Sequence, residues 1–156
     1  MDKAEIEACL RKAFTVDPPP TGDKLVKLEG DTETRQKIRE VFSGRKWWEL
    51  EPDLIMKYDD AISFLAPEGR HYYLPAYLIA ALYAPREWIF QEMVIYHLYL
   101  PLERSKGDQI RTKFERFLDL LSAEERSAIR KYLEYLMEHD PSEAAEEALR
   151  TLWHRF

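Results

Sequence analysis

One carboxylate–histidine pair in the sequence, Glu68 and His71, has the spacing of metal ligands on a helix. The E-x-x-H pattern puts both side chains on the same helical face, as in di-iron bundles. A di-iron centre, however, needs two such pairs and two further carboxylates. No second E-x-x-H occurs. We therefore expect no metal and no cofactor, and we interpret Glu68 as an acid favoured by the start of a helix.

A second group of polar side chains has the chemistry of a binding site. Arg70, Tyr73 and Tyr77 belong to one apolar segment, His97 lies on the next, and Trp47 precedes both. Tyr, Trp and Arg are the residue types that most often anchor interfaces. These five are our candidate binding residues. The alternative is that the tyrosines are core aromatics bonded to backbone and that His97 is a core-edge histidine.

The sequence gives no grounds for naming catalytic residues. It contains no G-x-S-x-G, P-loop, G-x-G-x-x-G or H-E-x-x-H motif. Cys9 is its only cysteine, so no internal disulfide can form. Because Cys9 lies on the apolar stripe of an amphipathic segment, we interpret it as a small buried hydrophobe.

The candidate residues must be positioned by the segment from Ala66 to Tyr83, which is apolar on almost every side. A helix without a polar face is a buried one. Pro67 suits the first turn of such a helix. Pro75 removes one backbone hydrogen bond, so we expect a kink or a break near Leu74.

The remaining periodicity predicts an all-α fold. Arg86 to Leu100 is also mostly apolar and is expected to pair with the central segment as an antiparallel hairpin, interrupted by proline and buried. Amphipathic stripes predict outer helices around it, including one with Ile110, Phe114 and Phe117 facing inward. We expect a single compact domain of about seven helices over residues 1–156.

Local signals place several helix starts. Asp31 or Thr32 can cap one helix, and Asp108 another. Ser122 with Glu125 matches the capping box, and the stretch from Asp140 to Glu143 has the same spacing. Trp47 and Trp48 point about 100° apart if helical, so one is expected in the core and the other near its rim.

Composition limits the partner classes. The chain has a formal net charge of −6 and no obvious basic cluster, which argues against nucleic acid and favours a basic protein partner. Residues 134–147 are acidic and are expected to form a solvated face. The first residues lack a signal peptide's apolar region, and the longest apolar run is too short to span a bilayer. We expect a cytoplasmic protein without membrane contact, whose oligomeric state the sequence does not specify.

Several segments resemble a family of small uncharacterised bacterial proteins. They are Phe42-x-Gly44-x-x-Trp47-x-x-Leu50, Ser63-Phe64-Leu65-Ala66-Pro67-Glu68, Arg70-His71-Tyr72-Tyr73-Leu74-Pro75-Ala76-Tyr77-Leu78, and the later Leu121-Ser122-x-Glu124 and Tyr132-Leu133-Glu134-Tyr135-Leu136. The central run is the distinctive part, and it resembles an "FLsPE-RYYLPAYL" hallmark. The resemblance implies a domain of unknown function, with no reaction attached.

Two functions follow as expectations. The first is a non-catalytic protein-interaction domain that masks a basic partner; toxin-neutralising proteins are an analogy for this role. The second is a small-molecule-binding protein or enzyme with a pocket lined by Arg70, Tyr73, Tyr77 and His97. An exposed aromatic patch rimmed by acids would favour the first. An enclosed cavity with converging polar groups would favour the second.

Overall fold

A computed structural model describes residues 1–85, 89–100 and 107–156 of the chain. The α-helices in these ranges are α1 Lys3–Ala13, α2 Thr32–Phe42, α3 Pro52–Lys57, α4 Ala61–Phe64, α5 Pro67–Tyr83, α6 Phe90–Ile95, α7 Asp108–Leu120, α8 Ala123–His139 and α9 Glu143–Thr151. Short 3₁₀ turns join some of them, and these ranges contain no strand. The predicted all-α fold is confirmed. The number of helices exceeds the expected seven because α3 and α4 are short separate helices.

Helix α5 is the buried centre of the fold. All residues from Gly69 to Leu82 are buried, as the absence of a polar face predicted. It packs against α1, α3, α6 and α7. The expected break at Pro75 does not occur, because α5 is continuous from Pro67 to Tyr83. Packing on every side stabilises the helix despite the hydrogen bond that Pro75 cannot donate.

The partner of α5 is shorter than the sequence suggested. Helix α6 ends at Ile95, and the chain continues as a 3₁₀ turn to Leu98. Phe90 of α6 stacks on Tyr77 of α5, with ring centroids 6.3 Å apart. The expected start of this helix, at residues 86–88, lies outside the described residues. Within the described ranges, no helix has both the length and the apolar character needed to cross a bilayer.

The outer helices cover α5 with their apolar stripes. Helix α1 packs on α8, α7 on α5, and α9 on α8. Phe114 and Phe117 face inward as expected. Ile110 does not: half of its surface is exposed, because it lies in the first turn of α7, where the helix borders an open cleft. Trp153, in the 3₁₀ turn after α9, donates its indole N–H to the carbonyl of Leu98 at 2.6 Å.

Two predicted caps are confirmed and two are displaced. Asp31 caps α2 by accepting the Thr34 N–H, and these hydrogen bonds with Thr34 lower the pKa of Asp31. Ser122 and Glu125 form the full capping box of α8. The caps of α7 and α9 are Gly107 and Ser142, not Asp108 and Asp140. Trp47 is buried and Trp48 is 41% exposed, which confirms that one tryptophan lies in the core and the other near its rim.

The start of α5 depends on a close backbone approach at Gly69. The carbonyl oxygen of Leu25 accepts the Ala66 N–H at 2.8 Å. A Cβ on Gly69 would lie 2.5 Å from that same oxygen. Glycine is therefore required by the contact between the segment around Leu25 and α5.

Gly69→Ala is predicted to destabilise the protein. In an open helix this substitution stabilises by about 1 kcal/mol. Here the methyl group collides with backbone, so we expect a loss of about 2–3 kcal/mol in the free energy of unfolding, measured with urea. Gly107→Ala is the control, because among the described residues its Cβ would meet nothing closer than 3.8 Å. It should cost less than about 1 kcal/mol. A Gly69→Ala variant as stable as wild type would contradict this packing.

Candidate functional site

The two candidate tyrosines of α5 are fully buried and bonded to backbone. The Tyr73 hydroxyl lies 2.7 Å from the carbonyl oxygens of both Phe42 and Arg45 and donates toward them. The Tyr77 hydroxyl donates to the carbonyl of Tyr58 at 2.9 Å. Burial raises the pKa of both phenols well above the ordinary value. These hydroxyls tie α5 to the chain that follows α2 and to the end of α3.

The other three candidates have separate surroundings. Trp47 is buried and meets Trp48 edge-on, with ring centroids 5.8 Å apart. Arg70 is almost completely buried, with its guanidinium 5.7 Å from the ring centroid of Phe117. Nε2 of His97 lies 3.4 Å from the Ser63 hydroxyl. The contacts do not gather the five around one centre, and their role in binding stays a prediction.

A different set of side chains lines an open cleft of about 800 Å³. We call it the α2–α7 cleft: it lies between the segment 23–29, α2, the start of α5 and the first half of α7. Its cationic lining residues are Lys24, Lys27, Arg35, Lys113 and Arg116. None of the five candidate residues lines it. No local pattern in the sequence indicates this cleft, because its lining residues come from separate segments of the chain.

Lys113 occupies an unusual electrostatic position in the α2–α7 cleft. It donates to the carbonyl of Ser63 at 3.2 Å. The pKa of Lys113 is lowered to about 8, mainly by burial and to a smaller extent by the positive charges of Arg70 and Arg35, whereas Glu29 raises it. Desolvation and like charge both disfavour the ammonium form. Part of Lys113 is therefore neutral near physiological pH.

Arg35 extends this positive cluster from α2. Its Nη1 donates to the carbonyl of Lys27 at 2.9 Å, and its guanidinium lies 5.3 Å from the ring centroid of Phe64. Its Nε is enclosed and has no hydrogen-bond partner in the described part of the chain. In those same ranges, no carboxylate lies within 4 Å of the charged nitrogens of Arg35 or Lys113.

Charges of both signs surround Tyr83, at the end of α5, where Glu7 also forms an ion pair with Arg11 at 2.8 Å. Its ring is 47% exposed, and its hydroxyl donates to a carboxylate oxygen of Glu7 at 2.8 Å. The hydrogen bond to Glu7 is the main reason that the pKa of Tyr83 is raised; burial and the charges of Glu7 and Asp2 add to it. Nζ of Lys3 lies 5.7 Å from the ring centroid. We call Asp2, Glu7 and Tyr83 the Tyr83 face.

A buried pair joins α5 and α8 and has no signal in the sequence. Nε2 of His71 lies 2.6 Å from Oε2 of Glu125, and both residues are buried. The other oxygen of Glu125 accepts the Ser122 N–H at 3.0 Å within the capping box. Glu125 was recognised as a cap, but nothing in the sequence links it to a histidine 54 residues away. His71 therefore pairs with Glu125, and its E-x-x-H neighbour Glu68 pairs with Arg116 instead.

Comparison with known proteins identifies the family. A family model described as "Family of unknown function (DUF6714)" matches residues 2–155. The chain belongs to DUF6714. The match extends across all nine described helices, so the DUF6714 region includes the α2–α7 cleft, the Tyr83 face and the His71–Glu125 pair. No curated protein and no solved structure matches the chain. Among the described residues, no three acidic, histidine or cysteine side chains converge as a metal site.

Glu125→Ala is predicted to destabilise this DUF6714 chain strongly. It leaves the buried imidazole of His71 without its acceptor and breaks the cap of α8. Removing one member of a buried pair costs about 3–5 kcal/mol. The adjacent Glu124→Ala is the control: Glu124 is exposed in the same helical turn and should cost less than about 1 kcal/mol. The free energy of unfolding is measured by chemical denaturation. Equal decreases in the two variants would show that the His71–Glu125 pair does not contribute to stability.

Proposed function

We propose that this protein is a non-catalytic interaction domain that binds and masks a basic partner protein through the Tyr83 face. The observation that carries the proposal is the exposed Tyr83 ring held by the Glu7 carboxylate. Tyrosine is enriched among residues that dominate binding energy. A ring already held in one orientation loses less conformational entropy on association.

Charge specifies the class of partner. Asp2 and Glu7 lie close enough to Tyr83 to raise its pKa, and the chain as a whole carries a formal charge of −6. A basic surface would be attracted to the acidic chain as a whole, and complementary potentials speed encounter and reject like-charged proteins. A toxin is the kind of basic partner that the analogy with immunity proteins suggests.

The buried tyrosines already have hydrogen-bond partners within the protein. The hydroxyls of Tyr73 and Tyr77 already donate to backbone carbonyls, so they are not available as proton donors to a substrate. The alternative function, a small-molecule-binding protein or enzyme using Arg70, Tyr73, Tyr77 and His97, stays a prediction. The α2–α7 cleft favours small-molecule binding at another place and is treated in the next subsection.

Capture from a lysate of the source organism tests the proposal. Immobilised wild-type protein is expected to retain one basic protein in near-stoichiometric amount. Tyr83→Ala should reduce the affinity of the purified pair about 10- to 30-fold, the effect of losing an interface anchor. Trp48→Ala is the matched control, since Trp48 is also exposed but contacts Trp47 and Lys46 instead of the acidic face. It should bind like wild type.

Two results would count against the interaction domain. One is that wild-type protein retains nothing above the empty resin. The other is that Tyr83→Ala and Trp48→Ala bind the retained protein equally well, which would place the interface elsewhere.

A further inference from the structure

We infer that the α2–α7 cleft binds a small phosphorylated sugar or polyol, with the phosphate between Arg35 and Lys113. This inference is independent of the Tyr83 face and goes beyond the interaction role. It stands on the cleft itself, on Arg35 and Lys113, which α2 and α7 bring together there, and on an enclosed guanidinium nitrogen of Arg35 that has no hydrogen-bond partner in residues 1–85, 89–100 and 107–156.

The cations come from different parts of the chain. Arg35 belongs to α2, Arg70 to α5 and Lys113 to α7, and the first and last of these line the cleft. Arg70 and Arg35 both lie near enough to Lys113 to disfavour its charge. Like charges brought together in a partly buried place destabilise the folded protein unless an anion compensates them. Arg35 and Lys113 have no carboxylate partner in the described ranges.

The arrangement favours phosphate over carboxylate. A carboxylate is planar and matches a single guanidinium fork. A phosphate has oxygens in several directions and two negative charges, and it suits donors that arrive from separate helices. Nε of Arg35 has no hydrogen-bond partner among the described residues, and Lys113 uses one of its three donors on Ser63. Ala66 and Pro67, at the start of α5, line the cleft and add the positive end of the helix dipole.

The rest of the cleft indicates what carries the phosphate. A volume of about 800 Å³ lies in the range of small-molecule sites and far exceeds one phosphate. Thr112 and four acids, Asp23, Glu29, Glu68 and Asp108, also line it; Asp23 is paired with Arg39, and Glu68 with Arg116. Their oxygens can accept hydrogen bonds from hydroxyl groups, whereas Glu29 and Asp108 would repel a second anionic group. A polyhydroxylated molecule with a single phosphate fits both features.

The titration of Lys113 gives the site a pH dependence. Its pKa of about 8 is set by burial and by Arg70 on α5 and Arg35 on α2, with Glu29 of segment 23–29 opposing. The ammonium form attracts the phosphate and is lost as the pH rises through the pKa. Between pH 7.5 and pH 9.5 the ligand's phosphate remains a dianion, so we expect its affinity to fall about tenfold.

Isothermal titration calorimetry with ribose 5-phosphate, ribose, inorganic phosphate and citrate tests the inference. Wild-type protein is expected to bind ribose 5-phosphate at least tenfold more tightly than inorganic phosphate, and to bind neither ribose nor citrate measurably. Lys113→Gln should weaken binding of ribose 5-phosphate about tenfold or more and abolish its pH dependence. Lys131→Gln, at an exposed lysine of α8, should match wild type in both respects.

Arg35→Gln serves as a second variant in case Lys113→Gln fails to fold, and it should weaken the same ligand. Failure to bind any phosphate, equal binding by Lys113→Gln and Lys131→Gln, or tighter binding of citrate would overturn the inference. Capture of a protein partner by the Tyr83 face is expected to be unchanged in Lys113→Gln. The two functions can therefore fail separately.

Discussion

The burial of α5 is the constraint on which the rest of the structure depends. Residues 69–82 are all buried, so polar side chains on them require hydrogen-bond partners inside the protein. Tyr73 and Tyr77 find backbone carbonyls, and His71 finds Glu125. Each of these bonds joins α5 to a different part of the chain. The polar tips of an otherwise apolar helix thereby fix the positions of the elements around it.

That arrangement also separates two surfaces of the protein. The first residues of α5 border the α2–α7 cleft, where cations from several segments lie among acidic side chains. Its last residue, Tyr83, lies beside α1, where it contacts Glu7 and Lys3. A continuous 17-residue helix holds these two ends at a fixed distance. The overall composition does not reveal the cations of the cleft, because they are dispersed along the sequence.

The fold was predictable where the signal was local. The missing polar face of Ala66–Tyr83 predicted its burial, and the four-residue pattern from Ser122 to Glu125 predicted a cap. Of the kink or break expected at Pro75, the break does not occur, because packing on every side of α5 opposes the cost of one missing hydrogen bond. The spacing also predicted that Ile110 faces inward, but Ile110 is half exposed. Periodicity predicts which side of a helix is buried, but it does not show how far along that helix the neighbouring helix extends.

The site could not be predicted, because its contacts are distant in sequence. The spacing of Glu125 from Ser122, three residues away, predicted its role in a capping box. No local pattern predicted that Glu125 pairs with His71, which is 54 residues away. Arg35 and Lys113 look like ordinary surface cations until α2 and α7 are placed beside α5. The tyrosines were rightly singled out as polar groups in an apolar helix. The groups beside the tyrosine hydroxyls are set by the connecting segments around α2 and α3. The sequence of those segments does not indicate whether a pocket or a backbone carbonyl lies there.

Native-state hydrogen exchange tests the central position of α5 most directly. If α5 is the element that the others cover, the amides of residues 71–82 should exchange only through global unfolding, with the highest protection in the chain. The amides of α9, which lies on α8 and further from α5, should exchange earlier through local opening. Exchange of the α5 amides as fast as those of α9 would contradict the account.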